Sequence, residues 1–188
     1  MRYAAYTFIG VALAAGLSAC GTDAAEDPAS TTMVQAEPMG MEMDMGDPAA
    51  TPAAAIDDAR LSTGEFVALP TAPAGSTPRG EAGLARHDAG TTVTLRLHDL
   101  PPDTAFIAHV HEGPCYEAGG PHYKHDPTGG DLPPNEIHLA LTSDPGGRAM
   151  MTVDNPQAAD DRARSVVVHI AGDDTPKLAC ADLDDVVR

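Results

Sequence analysis

Residues 106–115 read Phe-Ile-Ala-His-Val-His-Glu-Gly-Pro-Cys, and this stretch predicts a strand that carries a metal site. Successive side chains of a strand point to opposite faces. The apolar side chains therefore share one face, and His109 and His111 share the other. Two imidazoles on one strand face can converge on a single metal ion, and imidazole suits copper, zinc, iron and nickel. Gly113 and Pro114 end the strand just before Cys115.

The chain from residue 59 onward alternates short strands with turns and has no convincing amphipathic helix. Its sequence pattern predicts strands at 65–69, 80–87, 92–98, 106–111, 137–142, 148–153, 164–170 and 178–183. Glycine-containing and proline-containing segments at 88–90, 100–103 and 143–147 predict the turns between them. Many short strands at regular spacing indicate an antiparallel sandwich or barrel.

A long segment that is dense in glycine and proline, residues 112–136, follows the histidine strand. Loops of this length inside a compact domain are usually functional or disordered. This loop contains Cys115, His122, His125 and Asp131. Residues of these types favour a functional, metal-binding loop.

Residues 1–19 are typical of an export leader. Arg2 gives a positive start, an apolar run follows, and small residues lead directly into Cys20. This ending resembles a bacterial lipoprotein signal, whose cysteine becomes the lipidated first residue of the mature chain. The alternative is an ordinary secretory leader with an incidental cysteine. The apolar run is too short for a stable transmembrane helix.

Two cysteines remain if Cys20 carries lipid, namely Cys115 and Cys180. An even pair of cysteines in an exported chain suggests a disulfide. That bridge would close a long loop, for which the chain-entropy model predicts about 4 kcal/mol of stabilisation.

Residues 20–58 read as a linker rich in alanine, proline, methionine and acidic residues, without a sustained apolar period. The basic interpretation is a disordered tether. Within it, methionines alternate with other residues at Met39, Met41, Met43 and Met45. Thioethers are soft ligands that select Cu(I), so an auxiliary copper site is the alternative to a plain methionine-containing linker.

The chain is strongly acidic, with 28 Asp and Glu against 11 Lys and Arg and a formal net charge of −17. This charge argues against nucleic acid and against anionic lipid headgroups as partners. Attachment to a membrane would therefore come from the N-terminal lipid and not from a basic patch.

An ordered set of motifs extends the histidine stretch along residues 59–188. It comprises His-Val-His-Glu at 109–112, Cys115, Ala-Gly-Gly-Pro-His-Tyr at 118–123, Asp-Pro-Gly-Gly at 144–147, Arg-Ser-Val-Val-Val-His at 164–169 and Leu-Ala-Cys at 178–180. In order and spacing these motifs resemble the copper/zinc superoxide dismutase family. The resemblance implies an all-β domain: an eight-stranded antiparallel Greek-key β-barrel, an immunoglobulin-like sandwich with a long metal-binding loop.

Carried over residue by residue, the resemblance implies four copper ligands: His109, His111, His122 and His169. It gives His122 a second role in moving a proton during turnover, and it pairs Cys115 with Cys180. Lys177 stands where the family has an arginine that attracts and orients superoxide. Lysine keeps that charge but lacks the planar fork. The alternative is a solvated lysine near a strand start.

The chain departs from the family pattern at the zinc site. Thr128 stands where the family has a zinc-ligating histidine. His122, His125 and Asp131 remain as a zinc set in a rearranged loop, and a copper-only centre is the alternative. His138 lies on the next strand, away from its apolar side, and is expected at the surface.

Two functions follow from these residues. The first is an extracytoplasmic, copper-dependent superoxide dismutase that converts superoxide to oxygen and hydrogen peroxide, held by lipid in the periplasm or at the cell surface. The second is a copper-binding lipoprotein of the same fold that buffers or passes on copper without significant dismutase activity. The ordered histidines and cysteines favour the first function. The altered zinc pattern, Lys177 and the methionines favour the second.

Overall fold

Strand pairing in the computed structural model builds two antiparallel sheets of five strands each. The structure describes residues 45–172 and 176–186. Within these ranges the strands are β1 (Arg60–Glu65), β2 (Val67–Ala68), β3 (Arg79–His87), β4 (Gly90–His98), β5 (Ala105–His111), β6 (His138–Thr142), β7 (Ala149–Asn155), β8 (Ser165–Ile170), β9 (Lys177–Asp182) and β10 (Asp184–Asp185). Two short 3-10 helices, Ala53–Ala55 and Cys115–Glu117, accompany them.

The first sheet has the order β10-β1-β3-β4-β7, and the second has the order β2-β9-β8-β5-β6. If the two-residue strands β2 and β10 are left aside, the chain changes sheet between β4 and β5, between β6 and β7, and between β7 and β8. Crossovers of this kind between two antiparallel sheets produce Greek-key connections. The all-β sandwich predicted from the sequence is confirmed. Strands β2 and β10 have two residues each, and the other eight described strands form the body of the fold.

Alternation along the strands builds the core between the two sheets. From β5, Phe106, Ala108 and Val110 are buried in the core, where they meet Val166 and Val168 of β8. Burying a large apolar side chain contributes about 1.5–3 kcal/mol, so these inward positions stabilise the sandwich strongly. The opposite faces of β5 and β8 are thereby left for the histidines.

Strand β1 is an element that the sequence pattern missed. Its only large apolar residue is Leu61, so it shows no regular alternation. The strand pairs with β3 on one side and with β10 on the other. Buried Ser62 donates to Oδ1 of Asp185 at 2.6 Å and accepts from Nη1 of Arg86 at 2.8 Å. Polar cross-strand contacts therefore fix a strand that hydrophobic periodicity does not reveal.

The predicted linker, residues 20–58, is described from residue 45 onward, and that part packs on the sheets. Its backbone makes hydrogen bonds with β6 and β7: the N–H of Ala140 donates to the carbonyl of Met45, and the N–H of Asp47 donates to the carbonyl of Thr152. Ala53 is fully buried, because its small side chain fits over Gly83. Folded structure thus begins before residue 59.

Four features predicted for the N-terminal part lie outside the described residues: the leader at 1–19, Cys20, the linker from 20 to 44, and three of the four methionines, Met39, Met41 and Met43. Over the ranges that are described, no helix has the length and apolar character needed to span a bilayer.

Candidate metal centre

Strands β5 and β8 present three histidines on the face of the second sheet that points away from the core. His109 and His111 project from β5 opposite the buried apolar side chains. In the pairing of β5 with β8, Ile107 lies opposite His169 and His109 lies opposite Val167. His169 is therefore a diagonal neighbour of His109 on the same face, within reach of an imidazole. The strand alternation predicted for these three residues agrees with the structure.

The loop between β5 and β6 returns alongside the end of β5 and adds a fourth histidine. The N–H of Tyr123 donates to the carbonyl of Val110 at 2.8 Å, and the N–H of Glu112 donates to the carbonyl of Pro121 at 3.0 Å. This antiparallel return brings the His122 ring to 4.7 Å from the His111 ring, measured between centroids.

Close contact between the loop and His111 requires glycine at position 119. A Cβ atom there would lie 2.5 Å from Cγ2 of Val167 and 2.9 Å from Nδ1 of His111. Gly119 also has a φ of 82°, which L side chains rarely adopt. The adjacent carbonyl of Gly120 accepts a hydrogen bond from His111 Nδ1 at 3.1 Å, so the loop fixes the orientation of this ring.

Four imidazoles meet at this point, and one ring nitrogen of each lies within 4.8 Å of the others: His109, His111, His122 and His169. His111 donates a hydrogen bond from Nδ1, whereas its Nε2 is buried without a hydrogen-bond partner. Nδ1 of His109 is likewise buried without a hydrogen-bond partner. A buried polar atom without a partner is uncommon and needs an explanation. A metal ion bound among the four nitrogens would explain both unpaired atoms, and the donor set fits an ion that prefers imidazole.

The two histidines of β5 are held in their neutral form. Burial, together with the neighbouring imidazoles of His122 and His138, lowers the pKa of His109 to about 2. Burial likewise lowers the pKa of His111 to about 3. Since a metal binds the deprotonated imidazole, both residues are ready to bind one at neutral pH.

Acid is expected to destabilise the metal-free protein between pH 6.5 and about pH 3. The unfolded chain takes up protons on His109 and His111 near pH 6.5, whereas the folded chain does so only near their lowered pKa values. Stability therefore falls as the pH falls, by up to about 1.4 kcal/mol per pH unit for each histidine. Urea unfolding of the copper-free chain at several pH values measures this slope. A slope that stays at zero over this range would contradict the neutral, buried state of the two rings.

A second group forms behind His122. His122 donates from Nδ1 to Oε2 of Glu136 at 2.8 Å, and His138 donates from Nε2 to the same oxygen at 2.9 Å. The side chain of Glu136 is only 3% exposed. Nζ of Lys124 lies 3.8 Å from the other carboxylate oxygen. Glu136 was not singled out from the sequence. Its only signal in the sequence is that it precedes His138, the first residue of β6, by two positions, which places both side chains on one face if the strand is extended backwards.

The expectation that His138 lies at the surface is wrong. His138 is buried and lies directly opposite His109 in the pairing of β5 with β6, with 4.4 Å between ring centroids. It does point away from the apolar side of β6, as predicted. That outer face is covered by the loop at 112–136, a tertiary contact that strand alternation does not reveal.

The zinc set predicted from the loop is not brought together. Asp131 is exposed and pairs with Lys124. Tyr123 and His125 share a hydrogen bond between the phenol oxygen and Nδ1 at 3.3 Å. Among the described residues, the groups that could hold a metal include His122 but neither His125 nor Asp131. The predicted zinc set of His122, His125 and Asp131 is therefore not assembled in this loop.

A disulfide between Cys115 and Cys180 ties the loop to β9, as predicted. Cys180 is fully buried, and Cys115 packs beside it. The bridge fixes the first turn of the loop, just before the glycines that contact His111.

Lys177 lies next to this anchor and opposite His169 in the pairing of β8 with β9. Its Nζ donates to the carbonyl of Ala118 at 2.6 Å, and burial lowers the pKa of its ammonium group. The Lys177 charge is close enough to lower the pKa of His111. The side chain thus holds the loop and also contributes positive potential at the histidine group.

A cavity of about 650 Å³ opens onto the histidines beside Glu136. Three of the site residues line it: His109, His122 and His138. Met45, the one described member of the predicted methionine set, lines the same cavity. A thioether and imidazoles therefore face a common space.

Comparison with known proteins finds likeness among solved structures. No family model matches the chain, and no curated protein sequence matches it. Among solved structures, the chain is similar to a Cu/Zn superoxide dismutase from Brucella abortus, with 24% identity and a TM-score of 0.51 over 66% of this chain and 99% of that one. At this identity the likeness concerns the fold. The described β-sandwich therefore has the fold of a Cu/Zn superoxide dismutase.

Proposed function

We propose that the protein is an extracytoplasmic, copper-dependent superoxide dismutase. The observation that carries the proposal is the group of four imidazoles with buried nitrogens on His109 and His111 that lack hydrogen-bond partners. The fold and the residue order, which resemble a family with this activity, support copper as the ion. The neutral imidazole set also suits copper on chemical grounds.

Each residue has a defined part in this proposal. Copper bound here would supply the one-electron chemistry that converts two superoxide ions and two protons to one oxygen and one hydrogen peroxide. His109, His111 and His169 hold the ion from the rigid sheet. His122 would hold it from the loop, and we propose that this ring, which is the member of the set that is not buried, takes part in moving a proton during turnover.

Superoxide turnover per bound copper tests the proposal. The full chain, loaded with one equivalent of copper, is mixed with superoxide, and the decay is followed spectrophotometrically. We expect a second-order rate constant at least about tenfold above that of copper bound to a short histidine peptide. The copper-free chain is the blank. A rate no better than the copper–peptide control, with copper still bound, would reject dismutase activity.

Lys177 is proposed to guide superoxide, because its ammonium group is the positive charge placed beside His111 and His169 in a strongly acidic chain. Lys177→Ala should keep copper and lower the turnover rate, by about tenfold at low salt, and the rate should depend less on ionic strength. Stopped-flow decay at several salt concentrations measures both quantities.

Arg96→Ala serves as the matched control for Lys177→Ala, because Arg96 is an exposed cation of the other sheet. It should leave the turnover rate nearly unchanged. If Lys177→Ala behaves like this control in both rate and salt dependence, the guiding role is wrong.

Copper handling without turnover is the second candidate function. Met45 lines the cavity that reaches His109 and His138, and this favours a thioether near the centre. Under this proposal Met39, Met41, Met43 and Met45 hold Cu(I) weakly for transfer. Stoichiometric copper binding, combined with a superoxide turnover rate no higher than that of the copper–peptide control, would favour this function over the first.

Location outside the cytoplasm is part of both proposals. The Cys115–Cys180 disulfide supports it, since disulfides persist in oxidising compartments. Anchoring through lipid on Cys20 is proposed from the leader pattern. Mass spectrometry of the membrane-bound chain from a bacterial host would test for a lipid-modified N-terminal cysteine.

A further inference from the structure

The imidazole of His122 has its two nitrogens in different surroundings. Its Nδ1 donates to the buried carboxylate of Glu136 at 2.8 Å. A neutral imidazole that carries its proton on Nδ1 has its lone pair on Nε2. His122 therefore contributes Nε2 to the four-histidine group, while its other side is occupied by protein.

Glu136 has a partner for each carboxylate oxygen. Oε2 accepts hydrogen bonds from His122 and from His138, at 2.8 and 2.9 Å. Oε1 lies 3.8 Å from the ammonium group of Lys124, which also pairs with Asp131. A carboxylate that is 3% exposed needs compensation for the hydration it has lost. This arrangement supplies it without a metal ion.

We infer that the centre holds a single metal ion and that Glu136, buried between His122, His138 and Lys124, occupies the position from which a second ion would bridge to His122. His122, Glu136 and His138 do offer three donor atoms within 4.8 Å, which is enough ligands for zinc. A divalent ion among them would displace both imidazole protons and would lie beside the ammonium group of Lys124. The positive charge of Lys124 and the loss of both hydrogen bonds to Glu136 oppose that exchange.

Glu136 then acts as a positioning residue for the metal. An acceptor behind a ligating histidine fixes its tautomer and the orientation of its ring, and raises its basicity as a ligand. Loss of such an acceptor typically weakens metal binding by about 10–100-fold. We expect a loss of this size from Glu136→Gln, which keeps the shape and removes the charge.

A metal titration of the unmodified protein is the first test. This inference rests on the proposed function, because the four histidines must first bind copper. The full chain, carrying one equivalent of copper, is titrated with Co(II), whose visible absorption reports zinc-type sites, and in parallel with Zn(II) under dialysis. We expect that neither Co(II) nor Zn(II) binds stoichiometrically when one equivalent of it is added to the copper-loaded chain. A stoichiometric second ion that disappears in His138→Ala would overturn the inference, whereas failure to bind copper would overturn the proposed function instead.

The Cu(II) EPR spectrum of Glu136→Gln is the second test. We expect weaker copper binding, by about 10–100-fold, and altered hyperfine parameters, because His122 loses its fixed tautomer. Glu112→Gln is the matched control: it removes a partly buried carboxylate that pairs with Arg162 at 2.7 Å. If Glu136→Gln gives the same affinity and spectrum as this control, the positioning role is wrong.

Discussion

Replacing His109 with alanine is expected to abolish stable copper binding and, with it, superoxide turnover. His109 is 4% exposed, and its Nδ1 is one of the two buried nitrogens of β5 that lack a hydrogen-bond partner. Without this imidazole the four-nitrogen set loses a member, and the neighbouring imidazole of His138 is already engaged by Glu136. A ligand present at a thousand times its dissociation constant stabilises a protein by about 4 kcal/mol, so His109→Ala should lose a stabilisation of this order.

His98→Ala is the matched control, because His98 also lies on a strand, β4, but is 45% exposed and pairs with Asp99. Urea unfolding with and without copper should show the same copper-induced gain for this control as for the unmodified chain. For His109→Ala the two unfolding curves should coincide. A His109→Ala protein that still gains stability from copper would show that the ion binds elsewhere.

Removing the disulfide is expected to have the largest effect on stability of the metal-free chain. The bridge joins residues separated by 65 positions, for which the chain-entropy model gives about 4 kcal/mol. The double variant Cys115→Ala, Cys180→Ala avoids placing an unpaired hydroxyl at the fully buried Cys180. We expect it to unfold at a clearly lower urea concentration and to bind copper more weakly, since the loop that carries His122 loses its anchor.

The unmodified chain under strong reductant is the natural reference for this variant. Both should show a similar loss in the free energy of unfolding. A loss below about 1 kcal/mol in both samples would mean that the loop is held mainly by other contacts. The contacts of Arg162 would then be the first to consider, because this side chain pairs with Glu112 and donates to the carbonyl of Lys124.

Strand patterns allowed the centre of the fold to be predicted, because they depend on local alternation. In β5 and β8 every second residue enters the core, so the outward direction of His109, His111 and His169 followed directly. The fourth member, His122, lies on a loop. Its place was implied by the resemblance of motifs, and no periodicity could have supplied it.

Features that depend on what covers a surface could not be predicted in this way. His138 points outward from β6, as its position in the strand requires, yet it is buried because the loop at 112–136 lies over it. Glu136, at the end of this loop, is buried among His122, His138 and Lys124, and the strand pattern gives no sign of these contacts either. The packed segment around Ala53 shows the same limitation, because an alanine-rich sequence gives no local sign that one of its residues is seated on a sheet.

Copper titration of the full chain, followed by EPR, tests the central claim most directly: that His109, His111, His122 and His169 bind one copper ion. We predict saturation at one equivalent, with a Cu(II) spectrum that shows hyperfine coupling to several imidazole nitrogens. The spectrum should change in His169→Ala and stay the same in His98→Ala. No saturable uptake at one equivalent, or a spectrum that is the same in His169→Ala, would contradict the account.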